Sequence, residues 1–267
     1  MHKLKTARPT AQLRQGRNDW YQIKNLGGGA AEVAIYDEIG WFGVTAADFI
    51  NELKSVTASE ITVRLNSPGG DVFDGIAILN ALRSHNARIT VSVDGLAASI
   101  ASVIAMAGDT VIMQPQSQLM IHDAMSLCVG NAADMAEMAD QLNRQSDNIA
   151  SVYASRAGGS PEEWRDRMRN ESWFTAEEAV EAGLADEVAQ LPKERENAAP
   201  AASWDLSIYN FAGREQAPAP VLAARDTTPE PPALPETPTP PAFAFDPDVF
   251  RAAVRAGVTD SNREAVK

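Results

Sequence analysis

A chain of 267 residues with 45% hydrophobic composition is long enough for one or two domains around a sizeable core. A single cysteine, Cys128, excludes an internal disulfide framework and a cysteine-rich zinc site, and no unbroken apolar run of roughly eighteen residues is present to span a membrane. The net charge of −13 is uneven: residues 1–24 carry six Lys/Arg against one acidic residue, residues 25–191 nine against twenty-four, and residues 192–267 eight against eleven. So acidic a body repels phosphate backbones, and no nucleic-acid partner is expected. The basic opening stretch lacks the apolar run of a signal peptide, which points to a cytoplasmic protein with no membrane partner.

Residues 1–24 read as a flexible basic arm and 25–191 as the folded body. In the body, strands alternate with helices, the order expected of an α/β fold. ITVRLN (61–66) is a β-branched strand that runs directly into Ser67-Pro68-Gly69-Gly70. Residues 72–84 then have helical spacing, with Val72, Ile76, Leu79 and Leu82 on one face. RITVSVDG (88–95) is a second strand, and the small apolar run 98–107 suits a helix buried on every side. TVIM (110–113) and QLMIHD (118–123) are two short strands about a turn at Pro115.

The long periodic stretch 132–157 is helical, with an apolar stripe of Met135, Met138, Leu142, Ile149 and Val152 that serves a core or a subunit interface equally well. Ser160-Pro161-Glu162-Glu163 and Thr175-Ala176-Glu177-Glu178 each carry the capping chemistry of a helix start, and Gly183 closes the second helix. Twelve of the sixteen prolines lie between Pro192 and Pro247. Proline lacks an amide donor and fixes its backbone, so 192–245 reads as an extended proline-rich linker beyond a body that ends near Ala189. It is interrupted by one apolar island, SWDLSIYNF (203–211), and followed by a short terminal helix within 246–267.

Chemistry-bearing residues are few. Of three histidines, His2 lies in the basic arm and His85 closes a surface helix; His122 follows an apolar strand. Asp94-Gly95-Leu96-Ala97-Ala98-Ser99 sets a serine at a strand-to-helix junction among side chains too small to shield it. The competing role for Ser99 is an ordinary helix N-cap, and Ser102, one turn further on, is a second candidate nucleophile that its helical position favours for packing. Gly69 and Gly70 let the backbone approach a ligand with amides turned outward. A glycine amide, a serine and a histidine, each at the end of a separate strand, are what Ser-His acyl transfer requires. No Cys/His spacing fits a metal, no phosphate-binding GxxxxGK[ST] loop occurs, and no cofactor is expected.

NSPGGDVFDGIAILNAL, GLAAS with its small-residue helix, SQLMIHDA and SWFTAEEAVEAGLADEV together resemble the ClpP family of serine peptidases, over roughly residues 30–190. The short body with a proline-rich tail is most similar to the ClpP-related head maturation (prohead) proteases of tailed phages. The resemblance implies a ClpP/crotonase-like fold of repeated β-β-α units ahead of a disordered tail. It makes Ser99 the nucleophile and His122 the general base, with the amides of Gly70 and Ile100 as the oxyanion hole. The family's acidic third member is matched by Glu171, an aspartate-to-glutamate departure that changes its reach; Asp123 is the nearby substitute, though strand alternation points it away from His122. The implied partners are protein substrates, here capsid or scaffold proteins in assembling proheads of the host cytoplasm, and further copies of the chain in a ring.

Three alternatives remain at this point. A Ser-Lys dyad needs a lysine that the chain lacks between Lys54 and Lys193. A crotonase-like acyl-CoA enzyme has no use for a Ser-His pair. A capsid-assembly scaffold with a vestigial protease body is separated from an enzyme by whether Ser99 reacts with an active-serine probe.

Overall fold

The computed structural model describes residues 21–40, 45–190 and 204–222. Most of the basic arm, the long proline run and the terminal helix expected within 246–267 lie outside the described residues.

In chain order the elements are β1 (Tyr21–Gly27), β2 (Ala30–Ile35), α1 (Ala46–Lys54), β3 (Glu60–Ser67), α2 (Val72–Arg83), β4 (Arg88–Ala98) and α3 (Ile100–Ala105). They continue with β5 (Thr110–Met113), β6 (Gln118–Ile121), α4 (Ala132–Ala157), α5 (Pro161–Arg169), β7 (Ser172–Thr175), α6 (Ala176–Glu181) and β8 (Glu187–Val188). The fold is mixed α/β. A β-β-α order occurs at β1-β2-α1 and at β5-β6-α4, whereas β3 and β4 are each followed directly by a helix, so the expected repeat of that unit is only partial.

The main sheet runs β1-β2-β3-β4-β5-β8, parallel throughout except for the antiparallel β1–β2 pair. Its register explains the β-branched sequence. Val33, Val63, Val91 and Val111 stand opposite one another across four strands, and all four are fully buried. Each such valine contributes up to roughly 1.5–3 kcal/mol by leaving water, an upper bound because the unfolded chain already hides some surface. Helix starts follow the capping chemistry. The Ser160 and Thr175 hydroxyls accept from the amides of Glu163 and Glu178, whose side chains reach back to the cap amides.

Two boundaries differ from the sequence reading. Tyr21 is buried and packs edge-on against Phe49 with ring centroids 5.0 Å apart, so the folded part takes in the end of the stretch read as a basic arm. Residues 204–222, read as part of the linker, pack on the body over β6 and β7. Only the C-terminal half of the apolar stripe of α4 takes the core role. Ile149 and Tyr153 join the core, while Met135 near the start of the helix is exposed.

One departure from a simple sheet positions the site. β4 pairs with β5 through Thr90–Val93 and then with β6 through Leu96–Ala98. β6 in turn pairs antiparallel with β7. β3 also resumes pairing with β4 after a register shift, setting Ser67 opposite Ala97. The C-terminal ends of β3, β4 and β6 therefore converge, as they do where ligands bind in open α/β sheets.

Candidate active site

Ser99 is the residue after β4, and its amide donates to the Met120 carbonyl of β6 at 3.0 Å. That bond and the Ala98–Met120 pairing bring it beside His122, the residue after β6. Ser99 Oγ and His122 Nε2 lie 2.7 Å apart. Ser99 has φ 55° and ψ −128°, a backbone conformation unfavourable for a side-chain-bearing residue, and its side chain does not cap α3. The N-cap role considered for it is therefore absent; the hydroxyl faces the imidazole instead. Ser102 is fully buried, its hydroxyl 2.6 Å from the Ser99 carbonyl and 2.7 Å from the Tyr153 hydroxyl, the packing role its helical position suggested.

The Pro68–Gly70 loop abuts this pair. Gly69 has φ 106°, and a Cβ there would lie 2.7 Å from Ser99 Cβ, so only glycine fits. Gly70 forms a parallel bridge with Ile39, in which the Ile39 amide donates to the Gly69 carbonyl and the Asp71 amide to the Ile39 carbonyl. Alternate peptides of a strand point to opposite edges, so the N–H of Gly70 is turned away from Ile39. Ile100 opens α3, where the first amides of a helix have no partner within it.

Burial pushes the His122 imidazole down to about 4, opposed only in part by the charge of Asp123. The ring is thus neutral at pH 7, as a proton acceptor must be. Asp123 itself is turned to Arg165, which reaches its two oxygens at 2.7 and 3.1 Å and also binds Asn143 and Asp147. His85 is bound at both ring nitrogens by the main chain, at Val56 O and Ala87 N, and lies apart from the site. Among the described residues no group of three or more His, Cys, Asp or Glu side chains could hold a metal ion.

Glu171 is the residue whose surroundings were not foreseen. The β6–β7 ladder pairs Ile121 with Ser172, which sets Glu171 one step further on, opposite His122. Yet its carboxylate takes three other donors: the Phe211 amide at 2.8 Å and the Trp173 indole at 3.2 Å on one oxygen, and the Asn210 amide at 2.7 Å on the other. The hydrogen bonds of Glu171 among the described residues thus go to Trp173 and the 204–222 segment, with none to His122. Tyr209 of that segment stacks edge-on against His122, centroids 5.1 Å apart, and donates its hydroxyl to the Pro68 carbonyl at 2.6 Å. Neither Trp173 nor Tyr209 was singled out from the sequence; the one available signal was an island rich in aromatic and aliphatic side chains within the proline-rich stretch.

The family model described as Clp protease matches residues 17–192. The chain belongs to the Clp protease family. Curated Clp proteins with which it aligns include the ATP-dependent Clp protease proteolytic subunit of Bacteroides fragilis, 33% identical over 132 residues, covering 48% of this chain and 63% of that protein. The protein of the same description from Deinococcus radiodurans is 31% identical over 140 residues, covering 52% and 68%. That from Leuconostoc citreum is 33% identical over 131 residues, covering 48% and 66%. The chain thus spans a little under two thirds of the length of the Bacteroides Clp subunit.

Proposed function

We propose that the chain is a serine-type endopeptidase in which Ser99 is the nucleophile, His122 the general base and Glu171 the acid that orients the imidazole. The observation that carries this reading is the 2.7 Å approach of Ser99 Oγ to His122 Nε2 at the converging ends of β4 and β6. With Nε2 accepting, the neutral ring carries its proton on Nδ1, the atom an acid partner would receive. His122 takes the Ser99 proton as Oγ bonds to the peptide carbonyl carbon, and the amides of Gly70 and Ile100 receive the oxyanion. His122 then returns that proton to the leaving amine as the C–N bond breaks, and water repeats the sequence on the acyl-enzyme.

The narrower setting is the processing of capsid or scaffold proteins during phage head assembly, in the host cytoplasm and by a homo-oligomeric ring. The capsid setting draws only on the combination of a short Clp-type body with a proline-rich C-terminal stretch, and the oligomeric part on relatives described as proteolytic subunits. Self-association draws support from the exposed apolar side chains Met125, Leu127, Val129 and Met135.

The test is a fluorophosphonate probe on purified protein, with a capsid or scaffold polypeptide as substrate. Wild type should become labelled at Ser99 and cleave the polypeptide, and Ser99→Ala should do neither. A Ser99→Ala protein that still cleaves would remove the assignment.

A further inference from the structure

Residues 204–222 contain no helix or strand, and few backbone hydrogen bonds form within the segment: Tyr209 to Leu206, Gln216 to Gly213, and Ala217 to Arg214. They are held to the body instead by side chains. Leu96, Ala98, Met120 and Trp173 form a small apolar face beside the Ser99–His122 pair, and Tyr209, Ala217, Trp204, Leu206, Ile208 and Phe211 cover it. At the far end Arg214 grips both oxygens of Glu178 at 2.6 and 2.7 Å, and its amide donates to the Gln118 side chain at 3.0 Å.

Two things that peptide hydrolysis needs are engaged by this one segment. The first is space. A scissile carbonyl must sit about 3 Å from the nucleophile and from the oxyanion donors. The Tyr209 ring stands edge-on to His122, and its hydroxyl donates to the carbonyl of Pro68, beside the Gly69 that abuts Ser99. The second is the acid. Both oxygens of Glu171 accept from the segment's amides, and a carboxylate so engaged is not turned to the Nδ1 proton of the residue across the ladder. Meanwhile the hydroxyl–imidazole contact stays intact.

We propose that residues 204–222 are an intramolecular strap that restrains the site, holding Glu171 away from His122 and filling the cleft beside Ser99 with Tyr209, so that lifting the strap frees both. This rests on the peptidase reading above. Docking by side chains rather than by a backbone ladder is what makes such a segment detachable while the body stays folded.

The test uses the full-length chain. Arg214→Glu sets a carboxylate against Glu178 at a position remote from the reacting atoms, and Tyr209→Ala removes the ring from the cleft. Both variants should raise the rate of fluorophosphonate labelling at Ser99 by about tenfold or more, a shift of the strapped-to-open population. In Arg214→Glu the amides of Asn210 and Phe211 should also exchange with solvent faster, while those of β3 and β4 keep their protection. Labelling no faster than wild type in both variants, with β3 and β4 still protected, overturns the strap. Unchanged exchange at Asn210 and Phe211 also overturns it, because the segment is then not held by these contacts. A failure of the underlying peptidase reading looks different: no labelling at Ser99 in wild type or either variant, which removes both.

Discussion

The two sides of His122 are built differently. On the Ser99 side the contact follows from backbone pairing, since Ala98 pairs with Met120 and the hydroxyl and imidazole belong to the residues just beyond β4 and β6. On the Glu171 side the ladder also sets the residues opposite, but the carboxylate is claimed by Trp173 and by amides 39 and 40 positions further along the chain. Pairing of main chains fixes where a side chain starts; it does not choose among the partners within its reach. The hydroxyl–imidazole contact is thus a property of the sheet, and the carboxylate's partner is a property of a segment laid over it.

The sheet-built side breaks most severely at Gly69. Gly69→Ala would force a side chain into a positive-φ position and against Ser99 Cβ at 2.7 Å. Backbone strain of about 1–3 kcal/mol accompanies that change, and a displaced nucleophile is expected to lower Ser99 labelling by about a hundredfold. A folded Gly69→Ala protein labelled at the wild-type rate would show that the loop does not constrain the serine.

The strap-built side is sharpened by a double-mutant cycle. Glu171→Gln alone should change labelling less than about tenfold, because the docked carboxylate is not bonded to His122. Introduced into Arg214→Glu, where the acid is released, the same substitution should cost more than about tenfold. Equal effects in the two backgrounds would dissolve the distinction between the two sides.

The smallest expected effect on labelling is a shift in its pH dependence. With burial holding His122 down to about 4 instead of its ordinary 6.5, the acid limb of wild-type labelling should fall near pH 4. Loosening the strap re-exposes the ring and offers it an anion, so the limb should move upward in Arg214→Glu. Stability follows the same sign. Between about pH 6.5 and 4 the unfolded chain binds a proton that folded His122 does not, so its contribution is complete above that window and lost as pH falls through it. The change is on the order of 3 kcal/mol. Thermal melts at pH 7 and pH 4.5, compared with those of His122→Gln, measure it.

The local parts of the site were legible because each is written within a few residues: the Pro-Gly-Gly turn after a β-branched strand, the small side chains before Ser99, and the apolar run before His122. Their convergence required tertiary pairing, and the family likeness supplied the expectation. The strand boundary at Gly95 was misread for a physical reason. Glycine signals a turn, but here β4 continues to Ala98 by changing neighbours. For Glu171 the sequence offered a position and no partner, since nothing near it in sequence announces the amides of Asn210 and Phe211. The island at 203–211 stood out in composition, yet an aromatic cluster carries no periodicity that says which surface it covers.

The change of neighbours along β4 has a consequence for how this site tolerates variation. Side chains alternate between faces along a strand, so sliding β6 by a single residue against Leu96–Ala98 would turn His122 to the opposite face. Insertions in the turn between β5 and β6 should be absorbed as a longer loop, whereas one added residue inside Gln118–Ile121 should disconnect the imidazole from the serine without altering either. The β4–β6 alignment acts as a key cut to one tooth spacing, and between those strands only the turns, not α3 or β5, can drift in length.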